Sequence, residues 1–286
     1  MSAVRATASA TASAGAALVK GRRARLEEYG DQLLFYTKAL AWTPRAIRHH
    51  RREIFNILAE VAFGAGGLTM IAGTAGVIAF MAFFAGTEVG IQGYASLSQI
   101  GVAKFTAFVS AYFNTREVAP LISSIALAAT VGFGYTARLG AMRISEEIDA
   151  LESMGIPSLP YLVTTRMLAG FLAVIPLYVI ALTASYLSPR LITTLIYHQS
   201  AGTYDHYFLA FLPPADILWS FFKLIFLAVA IILIHCYYGY TASGGPAGVG
   251  VAVGKAIRTS IVTVVVADFF LSFAIWGSTT TVRITG

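Results

Sequence analysis

Four carboxylates crowd into seven positions at Glu146, Glu147, Asp149 and Glu152. They belong to the stretch Ile144-Ser-Glu-Glu-Ile-Asp-Ala-Leu-Glu-Ser-Met-Gly-Ile-Pro157, which reads as a short amphipathic helix. Ser145 is the candidate N-cap, and acids in the first turn suit the positive end of the helix dipole. Ile148, Leu151 and Met154 recur at helical spacing on one face. Gly155 and then Pro157 stop the helix. The chemistry on offer is recognition: an apolar stripe flanked by acids suits a partner with a basic-rimmed apolar groove. A solvated loop helix between two apolar segments is the competing reading.

Bond-making chemistry is not legible. No Ser/His/Asp, His/Glu or Cys/His set has catalytic spacing, so the chain does not read as an enzyme. No glycine-rich loop ends in Lys-Ser/Thr, so ATP is not bound in the usual way. Gly244–Gly254 is glycine-rich but lacks that ending, and reads as a flexible loop. Cys236 is the single cysteine; it allows no internal disulfide or thiolate cage and reads as a small buried apolar residue. His198, Tyr204, Asp205, His206 and Tyr207 lack a ligand array at metal spacing, and an aromatic belt is the plainer account. No metal site is expected. Asp268 is the one acid deep in an apolar run, with Lys223 as its only candidate partner, and intramembrane acids are functional by default.

The elements that must position these residues are membrane spans. The chain has 286 residues, 57% hydrophobic and 12% charged, about half the charge of a soluble domain. An all-α membrane protein follows. Five nearly uncharged stretches are each long enough to cross a hydrocarbon core, giving expected spans at 61–86, 118–140, 160–188, 216–240 and 258–281. Lys223 is expected to snorkel outward from the fourth. Pro176 should kink the third. Residues 1–30 read as a disordered basic tail, and 31–58 as an interfacial helix with arginines facing an anionic leaflet. With the N-terminus cytoplasmic, 15 Lys and Arg lie inside and four outside. The positive-inside rule then puts the 145–155 helix in the cytoplasm and the C-terminus outside. The basic excess is not spread over a soluble face, so no nucleic-acid partner is expected. Small residues in the first two spans, with Ser123 and Ser124 in the second, suit close helix approach or a pathway between subunits. Gln92 falls in an amphipathic segment expected to lie outside, between the first two spans.

The run Gly140–Ile156, followed by Tyr161-Leu-Val and Arg166-Met-Leu-Ala-Gly170, resembles the signature of the MlaE/YrbE permease family. Gln92-Gly93, Ser188-Pro189, His235-Cys-Tyr-Tyr-Gly-Tyr240 and Gly244-Gly-Pro-Ala-Gly-Val-Gly250 resemble the B-type YrbE permeases of actinobacterial Mce systems. The resemblance runs from about residue 45 to the C-terminus. It implies an MlaE-like permease domain over 31–286, in the plasma (inner) membrane, at the centre of an ABC-type importer of fatty or mycolic acids. It implies that Ser145–Gly155 is a coupling helix inserting into a homodimeric ATPase, which would hold the ATP and Mg. It also implies a heterodimer with an A-type permease and an outer contact with a hexameric ring of MCE-domain proteins. Asp268, Ser123, Ser124 and Gln92 would belong to the lipid pathway or its polar lining. Two departures stand out: Arg138 replaces an acid common in relatives, and Thr165 replaces a proline, so the two halves of a heterodimer would couple unequally. An ion-coupled secondary transporter using Asp268, and a non-transporting scaffold, are the alternative functions.

Overall fold

A computed structural model describes residues 27, 30–63 and 73–277. The expected tail at 1–30 falls almost wholly outside them. Among the described residues every regular element is helical, as the composition requires of a chain whose backbone must satisfy itself in lipid.

Three short helices replace the single interfacial helix expected over 31–58: α1 (residues 30–41), α2 (Thr43–His49) and α3 (Arg51–Phe63). Pro44, in the first turn of α2, lacks an N–H and cannot extend the preceding helix. His50, at φ −120° and ψ 29°, leaves helical space and breaks the chain again.

The first span is α4 (Thr74–Ser98), not 61–86. Residues 61–63 complete α3, and Gly73 enters α4 in extended conformation. Gly64, Gly66 and Gly67 lie outside the described residues. Glu88, just past the uncharged stretch, lies within α4, where its carboxylate accepts from Gln92 one turn on at 2.9 Å. The second span is one helical run, Ala103–Ile144, which includes α5 (Thr106–Phe113), α6 (Ala119–Leu127) and α7 (Phe133–Ile144). Two π-helical turns, Asn114–Val118 and Ala128–Gly132, interrupt it. A short α8 (Glu147–Ser153) leads to the third run, Leu159–Ile196, whose main part is α9 (Thr165–Leu191). Pro176 and Pro189 sit inside α9. After α10 (Ala201–Ala210) come the last two spans, α11 (Pro214–Tyr240) and α12 (Gly245–Trp276).

The start of α12 corrects the reading of Gly244–Gly254 as a loop. Gly244 and Gly245 take positive φ of 87° and 69°, and Pro246 then starts a helix, a position where its missing N–H costs nothing. The glycines beyond it are simply helical.

The core lies where α9 meets α4, α6 and α11. Approach is closest between α4 and α9. A Cβ on Gly86 would lie 2.4 Å from Ser188 Oγ, and one on Gly90 would lie 2.9 Å from Pro189 Cα. The small-residue packing expected of the first span is therefore carried by glycines four apart. Outward, Phe80 and Phe84 on α4 and Phe269, Phe270 and Phe273 on α12 are exposed. Such faces are stable in hydrocarbon and costly in water.

Candidate functional site

The acidic helix α8 forms a knob at one end of the bundle. Ser145 is not its N-cap. It ends α7 instead, and its hydroxyl donates to Ala141 O at 3.0 Å and to Glu147 Oε1 at 2.9 Å. The N-cap position belongs to Glu146, in the left-handed region at φ 60°. This tight reversal lets α8 leave α7 without a loop. At the other end Gly155 takes φ +76°. Its N–H bonds Glu152 O, and the Ile156 N–H bonds Leu151 O, the paired pattern of a glycine-terminated helix.

The apolar stripe does not face outward as a unit. Ile148 is fully buried in the chain's own core, Leu151 is half-buried against it, and only Met154 is exposed, at 67%. The offered surface is therefore narrower than the spacing implied, because Ile148 plugs α8 onto the bundle. The acids divide similarly. Asp149 accepts from Arg143 at 2.6 Å on the surface. Glu152 accepts from Ser158 at 2.5 Å and from Tyr240 Oη at 3.2 Å, which ties α8 to the end of α11. Glu146 and Glu147 stay exposed.

A second polar cluster lies inside the bundle. Lys223, expected to snorkel, is buried with 1% exposure. Its Nζ lies 2.9 Å from Glu117 Oε2, 2.8 Å from Asp268 Oδ1, 2.6 Å from Ser272 Oγ and 2.9 Å from Arg116 O. Ser272 in turn donates to Glu117 Oε1 at 2.8 Å. Lys223 does not reach water because partners from two neighbouring helical segments, the Asn114–Val118 turn and α12, surround it, which is how a charge survives in low dielectric. Beside it Arg116, also buried, donates to Asp216 at 2.8 and 2.6 Å. Trp276 Nε1 donates to the same carboxylate at 3.1 Å. The Arg116 guanidinium lies 3.6 Å from the Tyr112 ring centre and 4.9 Å from that of Trp276.

The π turn Asn114–Val118 makes this possible. A π turn widens the helix and frees carbonyls from the ordinary ladder. Thr115 O accepts from Ser220 at 2.5 Å, and Arg116 O accepts from Lys223. Adjacent Arg116 and Glu117 then serve different partners. A third group sits at the other π turn, where His235 Nδ1 pairs with Thr136 Oγ1 at 2.8 Å and Nε2 with Ser260 Oγ at 3.2 Å. Gly132 admits the ring, since a Cβ there would lie 2.6 Å from it.

Of the other residues expected to matter, Ser123 and Ser124 are buried on α6, Ser124 bonding Pro120 O at 2.7 Å. Gln92 is exposed on α4, inside a span and not in a segment between spans. The structure does not bring these three together with Asp268 into one site. Near α10 the aromatic rings pack on one another: Tyr207 meets Phe105 at 5.1 Å and Phe211 meets Phe108 at 4.9 Å. Asp205 binds Arg190 at 2.7 and 2.8 Å, and that guanidinium holds its carboxyl below the usual range. Sequence reasoning missed Glu117, Asp216, Ser272 and His235. The signal for the first two was present as charges flanking spans, but they read as boundaries.

Residues 65–274 match the family described as Permease MlaE. The chain belongs to the MlaE permease family. As such it is a membrane-embedded permease of an ABC-type transporter, not an enzyme, and the family implies a separate ATPase partner. The alternative of an ion-driven carrier is thereby set aside. The chain is 32% identical over 197 residues to Protein TRIGALACTOSYLDIACYLGLYCEROL 1, chloroplastic, of Arabidopsis thaliana, a match covering 69% of this chain and 56% of the plant protein. It is 26% identical over 196 residues to a probable ABC transporter permease protein of Rickettsia bellii, covering 68% and 76% of the two chains. A probable ABC transporter permease protein of Synechocystis is 30% identical over 165 residues, covering 58% and 63%. The match thus spans little more than half of the plant relative's length.

Proposed function

We propose that this MlaE permease is the B-type YrbE subunit of a Mce lipid importer. It would move fatty or mycolic acids across the cell envelope, with its N-terminus cytoplasmic and its C-terminus outside the plasma membrane. An A-type permease would complete a heterodimer, a hexameric MCE-domain ring would dock outside, and a homodimeric ATPase holding ATP and Mg would dock inside. Support for the lipid comes from the plant relative, whose name is that of a galactolipid, and from the extended motif resemblance. Physics favours a lipid route as well. Exposing an acyl chain to water costs roughly 0.8 kcal/mol per CH₂, so lipid traffic needs a dry path and an energy source, and this chain has the apolar helices without a motor.

One observation carries the reading: α8 presents exposed Glu146, Glu147, Asp149 and Met154 while Ile148 and Glu152 fasten it to the spans. Such a helix suits the role of a coupling helix. Its acids would meet basic residues of the ATPase, Met154 and the open edge of Leu151 would fill its groove, and Ser145 and Gly155 would set the two bends. Movement would pass through Arg143 into α7 and through Tyr240 into α11.

The test is charge reversal. Glu147→Lys with Asp149→Lys should abolish co-purification of the ATPase while the permease still inserts and melts normally. Undiminished co-purification would refute the coupling role. Mass spectrometry of lipids carried by the intact complex would identify the cargo, and labelling of Ser153→Cys from either side of the membrane would test the orientation.

A further inference from the structure

On the outside of the bundle, α3 does not lie flush against α9. A groove of about 440 Å³ runs between them, lined by Ile47, Ile54, Phe55, Leu168, Phe171 and Leu172, with Arg51 the one charged side chain among its walls. Ile47 and Phe55 are 44% and 62% exposed. Below it the same face of α9 continues through Ile175 and Val179, both exposed, which line a second apolar groove of about 400 Å³. Leu168, Phe171, Leu172, Ile175 and Val179 fall at helical spacing, so the two grooves share one stripe. From Leu168 to Val179 the stripe is about 17 Å long at 1.5 Å per residue, close to half of the roughly 30 Å hydrocarbon core. That is the depth of one leaflet.

Charge marks the end of this stripe where α3 begins. Arg45, Arg48, Arg51 and Arg52 crowd into eight positions, with Glu53 as the nearest acid in the chain. Arg51 donates Nε to Ile47 O at 2.9 Å, which fixes its guanidinium beside the groove. Among the described residues no carboxylate lies within ion-pair distance of Arg48, Arg51 or Arg52. Elsewhere in this molecule Arg116, Arg143 and Arg190 each hold a carboxylate. An unpaired arginine cluster beside an apolar slot one leaflet deep suits an acyl chain with a negative head.

We propose that this groove holds a resident anionic phospholipid. Its phosphate pairs with Arg51, with Arg48 and Arg52 sharing the charge, and one acyl chain lies along the α9 stripe. The inference rests only on the chain being in a membrane, not on what it transports.

The test is native mass spectrometry of the transporter complex released from nanodiscs of equal phosphatidylglycerol and phosphatidylcholine. The wild type should retain phosphatidylglycerol preferentially. Arg48→Gln with Arg51→Gln should weaken that retention about thirtyfold, two surface arginines' worth, and Arg51→Lys should preserve it. Leu168→Trp fills the groove and should remove the bound lipid, whereas a transported lipid in a central pathway would survive it. Equal retention of the two lipids, or retention unchanged in the glutamine and tryptophan variants, overturns the proposal. So does loss of a partner subunit from Leu168→Trp with no change in lipid, because the groove would then be covered by protein.

Discussion

Acids meet bases in two parts of this molecule under opposite rules. On α8, Asp149 faces Arg143 with both side chains in solvent, 56% and 38% exposed respectively, where an ion pair contributes little. Inside the bundle, Lys223 is closed off and serves Glu117, Asp268, Ser272 and a backbone carbonyl together, where losing one partner strands a charge in low dielectric. The contrast teaches that the acids most visible in the sequence are the ones the fold needs least. Exposed carboxylates are free to be read by something else, while buried ones are already committed.

The largest effect should come from breaking the buried set. Lys223→Met leaves Glu117 and Asp268 without their cation and is expected to cost about 3–5 kcal/mol, seen as a large fall in melting temperature of the purified protein. Adding Glu117→Gln and Asp268→Asn should recover most of that loss; no recovery would show that Lys223 matters for something other than charge pairing. Next comes the second π turn. Gly132→Val drives a side chain into the His235 ring and should cost about 1–3 kcal/mol, whereas Gly134→Ala, with open space around it, should melt like the parent.

Smaller again is the Arg190–Asp205 pair, which is 40% and 44% exposed. Asp205→Asn should cost no more than about 1 kcal/mol. Because its carboxyl titrates below the usual range when folded, the contribution is present above the ordinary carboxylate value. It is lost as pH falls through the lowered one. Melting curves of parent and variant should therefore converge only in strong acid. The least change in stability, within about 0.5 kcal/mol, is expected for Glu147→Lys with Asp149→Lys, the same pair whose effect on ATPase binding should be complete. A large stability loss there would erase the contrast between the two regions.

Much of the fold was legible because lipid leaves a chain few choices. Uncharged runs announced five spans, and among the described residues five helices are long and apolar enough to cross. Boundaries were less legible. Glu88, Arg116 and Glu117 looked like span ends, since a lone charge in hydrocarbon is costly, yet each finds a partner within the bundle or one turn along its helix. Tertiary pairing of residues a hundred positions apart has no local signature. The acidic helix was legible as an element from its acids, its apolar spacing and Gly155. The burial of Ile148 was not, because spacing assigns residues to a face without saying which neighbour that face meets.

That buried isoleucine has a mechanical consequence. A lever hinged on a loose loop wastes its first displacement taking up play. Here Ile148 seats the acidic knob like a key in a slot, and Glu152 pins it to Tyr240. A push on the knob would therefore be passed to the ends of α7 and α11 together, through the contacts it makes with Arg143 and Tyr240.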